Sequence, residues 1–564
     1  MAGGRYEHNG GVAYFVALAS AWLLVSAATA LRPGRRGIFA ALAYPVGWAA
    51  GELAGQAITI EAALVALLAW WGWPHTAWLS LTVAVIASAV VAGNLALVVV
   101  SLRARTVVRR AMATSPRRPL EVGRSRDDRF GSWWRTAAQI PWHPRWLQVV
   151  SDVPYGPLAR HRLDVWRTST TPRGAPVILY LHGGAWTFGD KREQGRPMLH
   201  EFVARGWIAV APNYRLAPHH PWPAQIEDAA AVLAWVKREI ASYGGDPDRV
   251  VVAGGSAGGH LAALVGLAGE DPAWRPRGVG VDRAELSVRG VISLYGVLEM
   301  TGDEDYWRGL GRGIRRLLEH RVVQLPYEGH EDLYRALSPI ARIHRDAPPF
   351  LVVQGGNDTL VDVNVARAFV SRFREVALAP IYHVELPLTQ HAFDVTASPR
   401  TSAMTRAAVA FAESVTPVRV EPPASTRHAY QVPPTTLRVE DGGWRDAREV
   451  ARERGPLYVV TADNPFSAVV DDGRNVQRER ELADLLDARH VSWWVSRATA
   501  PGGPTEQGAA LAGVDLGEAR AWARAFEQYA LYEVRADAVV VRRTRDGAVL
   551  TDGVARERRA VPPW

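Results

Sequence analysis

The pattern of apolar and polar positions divides the chain into three regimes. The first begins with an unbroken apolar run, GVAYFVALASAWLLVSAATAL (11–31), uncharged and of the length a bilayer core demands. A second apolar stretch, 38–73, carries Pro45, Glu52, Gln56 and Glu61, which predicts either one tilted span with a polar flank or a pair of short ones. A third, 78–102, holds Asn94 as its strongly polar group. Trp70, Trp71, Trp73 and Trp78 cluster between the last two, as an aromatic belt at an interface would. Two further apolar stretches follow the first and no basic n-region precedes it, which favours a span over a signal peptide. Residues 1–102 therefore read as a transmembrane region of about three spans.

The second regime starts near Val149. Short β-branched runs alternate with amphipathic segments, which predicts a largely parallel sheet flanked by helices. Strands are expected at 161–167, 176–182, 207–214, 249–256, 289–296, 349–356 and 381–387, with a helix over 223–243. Two segments break the alternation: a basic, Trp-rich connector over 103–148, and an insertion at about 299–336, both of the kind that caps a site at the carboxyl edge of such a sheet. The catalytic domain is thus bounded as 149–415. A Pro-rich linker, 416–437, leads to the third regime, a small α+β domain over 438–564.

The candidate chemistry lies in the middle. Gly254, Gly255, Ser256, Ala257 and Gly258 form a G-x-S-x-G directly after a strand and before a helix, the setting in which a sharp turn exposes a serine Oγ. A serine needs a base and the base an acid. Asp358 lies just beyond a strand end in LVVQGGNDTLVD, and His391 in the loop after the next strand in HVELPLTQHAFD. Asp362 is the rival acid, one helical turn further on; His383 is the rival base, but inside a strand.

The 564 residues suggest two or three domains, and the absence of cysteine excludes disulfides, thiolate nucleophiles and Cys-type zinc or iron–sulfur sites. The net charge of +8 comes mainly from arginine and is too unspecific to indicate nucleic acid as a partner. Its placement matters more. Arg32, Arg35 and Arg36 follow the first span, and Arg103, Arg105, Arg109, Arg110, Arg117 and Arg118 the last, which predicts a multi-pass protein of the cell membrane with the amino terminus outside and the catalytic domain in the cytoplasm.

HGGAW, YRLAPHHPWPAQIEDAAAVLAWV, GGDPDRVVVAGGSAGG, GGNDTLV and HAF occur in the order and approximate spacing of the hormone-sensitive-lipase-like α/β-hydrolases, which this stretch resembles over about 149–415. The resemblance implies an α/β-hydrolase fold acting on carboxylic esters without metal or organic cofactor. Residue by residue it implies Ser256 as nucleophile, Asp358 as acid and His391 as base, with the backbone N–H groups of Gly183, Gly184 and Ala257 as oxyanion donors. Glu227 and Asp228 match a structural position. His182 is expected to tie its loop down, and Trp186 to wall the substrate pocket. The HGG-x-W form is similar to that of arylformamidases, so an amidase or arylformamidase using the same triad is the alternative. The membrane-anchored layout makes a small lipophilic ester the expected substrate and the bilayer a partner. The third regime is similar to a small bacterial domain family of unknown function, through Thr461, Ala462, Asn464, Pro465, Asn475, Phe526 and Gln528.

Overall fold

The computed structural model describes residues 4–34, 37–71, 77–115, 119–123, 144, 146–268, 286–307, 311–417, 435–438, 443–461, 472–499, 505–526, 528, 530–544, 547 and 549–554. The chain divides into two compact units, Met1–Thr416 and Pro417–Trp564.

The first unit opens with four apolar helices: α1 (Gly4–Leu31), α2 (Gly37–Glu52), α3 (Ala54–Trp71) and α4 (Ala77–Ala113). Tyr14–Leu31 and Trp78–Ala113 are each long and apolar enough to cross a membrane, and Leu42–Glu52 with Ala54–Trp70 makes a third span if the pair is taken as one. That pair is bent by 81°, with Gly51 and Gly55 flanking the break. The second apolar stretch is thus two helices rather than one tilted span. Val16 packs with Leu68, Leu79 and Val83, whereas Ala27 and Ala30 pack with Ala50, Ala54 and Leu97. Hence α1 and α4 run in the same direction and α3 runs back between them. Outward positions such as Leu18, Trp22, Leu81 and Val85 are exposed apolar side chains, as a lipid-facing surface requires.

An eight-stranded sheet follows, with β1 (Leu147–Pro154), β2 (Arg162–Thr168), β3 (Ala175–Leu181), β4 (Ile208–Pro212), β5 (Gly245–Gly255), β6 (Gly290–Leu294), β7 (Phe350–Gly355) and β8 (Ile381–Leu386) in the order β1-β2-β4-β3-β5-β6-β7-β8. The β1–β2 and β2–β4 pairs are antiparallel and every later pair is parallel. Crossovers are made by α5 (Arg196–Ala204), α6 (Ala224–Glu239), α7 (Ala257–Ala268), α8 (Glu304–Trp307), α9 (Gly311–Leu317), α10 (Glu331–Leu337) and α11 (Val363–Val376), and α12 (Pro399–Val415) closes the unit. Inside the edge strand β1 the sheet is largely buried on both faces, which is why its central strands read as continuous apolar runs. On β3, Val177, Leu179 and Leu181 enter one core, while Ile178 and Tyr180 enter the other. This is the α/β-hydrolase architecture.

Two boundaries differ from the sequence reading. Strand β1 is not among the expected strands and begins two residues inside the expected connector; it is a half-exposed edge strand with weak apolar alternation. Helix α4 does not end near residue 102 but runs on to Ala113, and its Ala104, Val108 and Met112 join the second core beside Ile178 and Met404. Residues 116–118, 124–143 and 145 of the Trp-rich connector lie outside the described residues, as does 418–434 of the linker. The 299–336 insertion contains α8, α9 and most of α10.

The second unit contains β9 (Thr435–Arg438), β10 (Trp444–Asp446), α13 (Ala447–Arg454), β11 (Leu457–Thr461), α14 (Asp472–Ala488), β12 (Ser492–Thr499), β13 (Thr505–Ala512), α15 (Leu516–Ala525), β14 (Ala530–Val534), β15 (Ala538–Arg543) and β16 (Val549–Val554). The strands form one antiparallel sheet in the order β10-β9-β12-β13-β11-β14-β15-β16. Thr461 Oγ1 donates to Gln528 Oε1 at 2.7 Å, joining two of the motif residues; Ala462, Asn464 and Pro465 lie outside the described residues.

Candidate active site

Strand β5 ends at Gly255 and α7 begins at Ala257, so Ser256 occupies the whole turn between them, at φ 55°. A β-carbon on Gly258 would stand 2.0 Å from Leu181 O, and one on Gly254 would stand 2.3 Å from Gly258 O. Only bare backbone lets the helix start this close to the strand ends. Ser256 N donates to Leu294 O at 2.9 Å, which fixes the strained turn to the neighbouring strand.

Asp358 leaves the end of β7 and His391 follows β8. His391 Nδ1 lies 2.7 Å from Asp358 Oδ2, and His391 Nε2 lies 2.8 Å from Ser256 Oγ. Asp358 is held on both oxygens: Oδ1 accepts from the N–H groups of Leu360 and Val361 at 2.9 Å each, and Oδ2 also accepts from Gln354 Nε2 at 2.9 Å. The rivals are occupied elsewhere. Asp362 caps α11 by accepting from Asn364 N, and His383 stays within β8, where burial pulls its pKa down to about 4.

The turn after β3 holds Gly183, Gly184, Ala185 and Trp186, the last three at φ 119°, 50° and 60°. A β-carbon on Gly184 would meet Phe188 O at 2.1 Å, so glycine is required there. Of the expected oxyanion donors, Gly183 is already committed, since its N–H donates to Gln194 Oε1 at 2.8 Å. The N–H groups of Gly184, Ala185 and Ala257 have no protein acceptor among the described residues. Ala185 therefore replaces Gly183 as a candidate donor, a substitution that depends on Gln194, eleven residues downstream.

Trp186 does not wall a pocket. It is 1% exposed, and its Nε1–H donates to His260 Nδ1 at 3.2 Å, while His260 Nε2 donates to Leu337 O at 2.9 Å. Burial lowers the His260 pKa to about 4, which keeps the ring neutral and able to accept. The left-handed turn at 185–186 directs the indole back into the core. His182 does tie the loop: its Nδ1 is 2.7 Å from Gly183 O, its ring stacks on Tyr214 at 4.2 Å, and burial lowers its pKa to about 4. Asp228 and Glu227 both hold Arg215, at 2.6 and 3.0 Å, a structural role. Among the described residues no group of His, Asp and Glu is arranged to hold a metal.

Tyr295 and Asp394 escape a sequence reading. The Tyr295 ring lies 4.7 Å from that of His391, and its hydroxyl donates to Asp394 Oδ1, both groups being buried.

Residues 163–373 match the family model BD-FAE, and residues 460–531 match the family described as Protein of unknown function (DUF3293). Over 287 residues the chain is 41% identical to a protein named Probable carboxylic ester hydrolase LipM from Mycobacterium tuberculosis, covering 48% of this chain and 64% of that one. It is also 41% identical over 261 residues to Esterase LipQ from the same organism, covering 46% and 60%. The chain thus spans somewhat less than two thirds of the length of each. A crystal structure titled ESTERASE B from Lactobacillus Rhamnosis aligns with 22% identity and a TM-score of 0.43, over 51% of this chain and 93% of that one. Residues 163–373 thus form a BD-FAE domain homologous to LipM and LipQ, and residues 460–531 match DUF3293.

Proposed function

We propose that the protein is a membrane-anchored serine carboxylesterase or lipase that hydrolyses lipophilic carboxylic esters through an acyl-enzyme. The observation that carries this reading is the continuous hydrogen-bonded chain Asp358–His391–Ser256, with Ser256 at the half-buried turn after β5. His391 Nε2 takes the Ser256 proton as Oγ attacks the carbonyl carbon, and the developing oxyanion accepts from the N–H groups of Gly184, Ala185 and Ala257. The tetrahedral species collapses as His391 returns the proton to the departing alkoxide. Water, deprotonated by the same ring, then releases the acid. Asp358, held by four donors, fixes the tautomer in which Nδ1 carries hydrogen.

The names of the related proteins, ester hydrolases and esterases, support the ester class. The formamide alternative rested on Ala185 and Trp186; with Trp186 in the core and Ala185 offering only backbone, the ester reading takes precedence. The parallel course of α1 and α4, with α3 returning, supports three crossings, an external amino terminus and a cytoplasmic hydrolase. Purified full-length protein should hydrolyse p-nitrophenyl butyrate and react with a fluorophosphonate probe. Ser256→Ala should lose both, and an inactive, unlabelled wild type would refute the assignment. Reporters fused to the two termini should light on opposite sides of the membrane.

A further inference from the structure

We propose that helices α1 and α2 of the membrane region are positioning elements of the catalytic site, holding the loops of Asp358 and His391 in register with Ser256. This rests on the triad reading above.

The evidence is where the contacts fall. Asn357, adjacent to the acid, donates from Nδ2 to Ala30 O at 2.9 Å. Ala392, adjacent to the base, accepts from Trp48 Nε1 at 3.0 Å. Gln390, on the other side of the base, links the two loops by accepting from Thr359 N at 3.2 Å, and it abuts α2 so closely that a β-carbon on Gly47 would stand 3.3 Å from its Nε2. The Tyr44 ring sets itself edgewise to that of His391, at 6.1 Å between centroids. Beyond the base, Arg400 in the first turn of α12 donates from Nη1 to Gly51 O at 2.6 Å and to Glu52 Oε1 at 3.1 Å. Both side chains of that ion pair are 1% exposed.

Tyr44, Gly47, Trp48 and Gly51 stand at i, i+3, i+4 and i+7, which is one face of a helix, and that face lies along the catalytic loops. Ala30 and Gly51 sit in the last turns of α1 and α2, where carbonyls have no partner within the helix. The hydrolase supplies the missing donors: an amide to α1 and a guanidinium, whose charge suits the helix terminus, to α2. A helix that only tethered the domain would have no reason to end its hydrogen-bonding on the residues flanking an acid and a base.

The test uses full-length protein in detergent micelles with p-nitrophenyl butyrate. Trp48→Phe removes one N–H and little volume, Asn357→Ala removes the amide, and Arg400→Met removes the helix cap. Each should lower kcat by about ten- to a hundredfold, the scale of a sub-ångström to ångström misplacement, with KM within about twofold and a melting transition still cooperative. Arg400→Lys should recover part of the loss. Wild-type kcat in folded Trp48→Phe and Asn357→Ala overturns the proposal, and these two variants decide if Arg400→Met fails to fold. Ser256→Ala separates the two failures. If it remains active, the triad reading falls; if it is dead while the other variants match wild type, only the positioning role falls.

Discussion

Asp394 offers a test of how burial beside His391, the proposed base, couples stability to pH. Its carboxyl is 1% exposed, follows His391 by three residues and accepts from the Tyr295 hydroxyl. Burial pushes its pKa up to about 6 from the ordinary 3.8, outweighing the Tyr295 hydrogen bond, which pulls it down. A difference of roughly two units is worth about 3 kcal/mol, since each unit is about 1.4 kcal/mol. The sign follows from which state binds the proton more tightly. The folded-state pKa is the higher one, so this contribution is fully present below about pH 4 and is lost as pH rises through about 6. Asp394→Asn keeps the shape and an acceptor for Tyr295 but cannot ionise. Denaturant unfolding of both proteins at half-unit steps from pH 4 to 7 should give a stability difference that moves by about 3 kcal/mol in favour of the variant as pH rises, other carboxylates cancelling in the subtraction. A flat difference, or one that moves the other way, would show that the carboxyl is not desolvated as described.

Three further outcomes follow from the site. Asp358→Asn should lower kcat by about four orders of magnitude, because the amide stabilises the wrong tautomer of His391; single-turnover acylation with p-nitrophenyl butyrate would register it. Gly184→Ala should cost at least about a hundredfold in kcat, measurable with the same ester, because its β-carbon collides with Phe188 O and displaces the N–H groups that meet the oxyanion. Trp186→Phe should lower unfolding stability by about 1 kcal/mol through the lost bond to His260 while leaving the acyl-chain profile of kcat/KM unchanged; a shifted profile would return Trp186 to the pocket.

The parts of the site that hang on local strand-and-turn grammar are legible in the sequence. Ser256 sits in a motif whose context names the turn, and Asp358 and His391 follow strand ends whose apolar runs are unmistakable. Legibility ends where a contact depends on a turn's dihedral angles or on distant chain. Gly183 looks like a donor until Gln194 folds back onto its N–H, and Trp186 looks like a pocket wall until two left-handed residues turn it inward. Strand β1 is missed because an edge strand with one wet face and a bulge lacks continuous apolarity. The contact of α2 with the loop of His391 is invisible for a different reason. Trp48 and Ala392 are 344 residues apart, and a Tyr, a Trp and two glycines in an apolar helix carry the composition of any lipid-facing surface.

Helix α4 works as a ruler. At about 1.5 Å per residue its 37 residues measure about 55 Å, of which a bilayer core would take about 30 Å. The remainder is stitched into the sheet's flank by Ala104, Val108 and Met112, with no hinge between the two parts. In the membrane-anchored arrangement proposed above, the altitude of Ser256 over the lipid is therefore set by a rigid length rather than a swinging radius, so a thicker bilayer would draw the Ser256 turn closer to its surface and a thinner one would leave it standing further off.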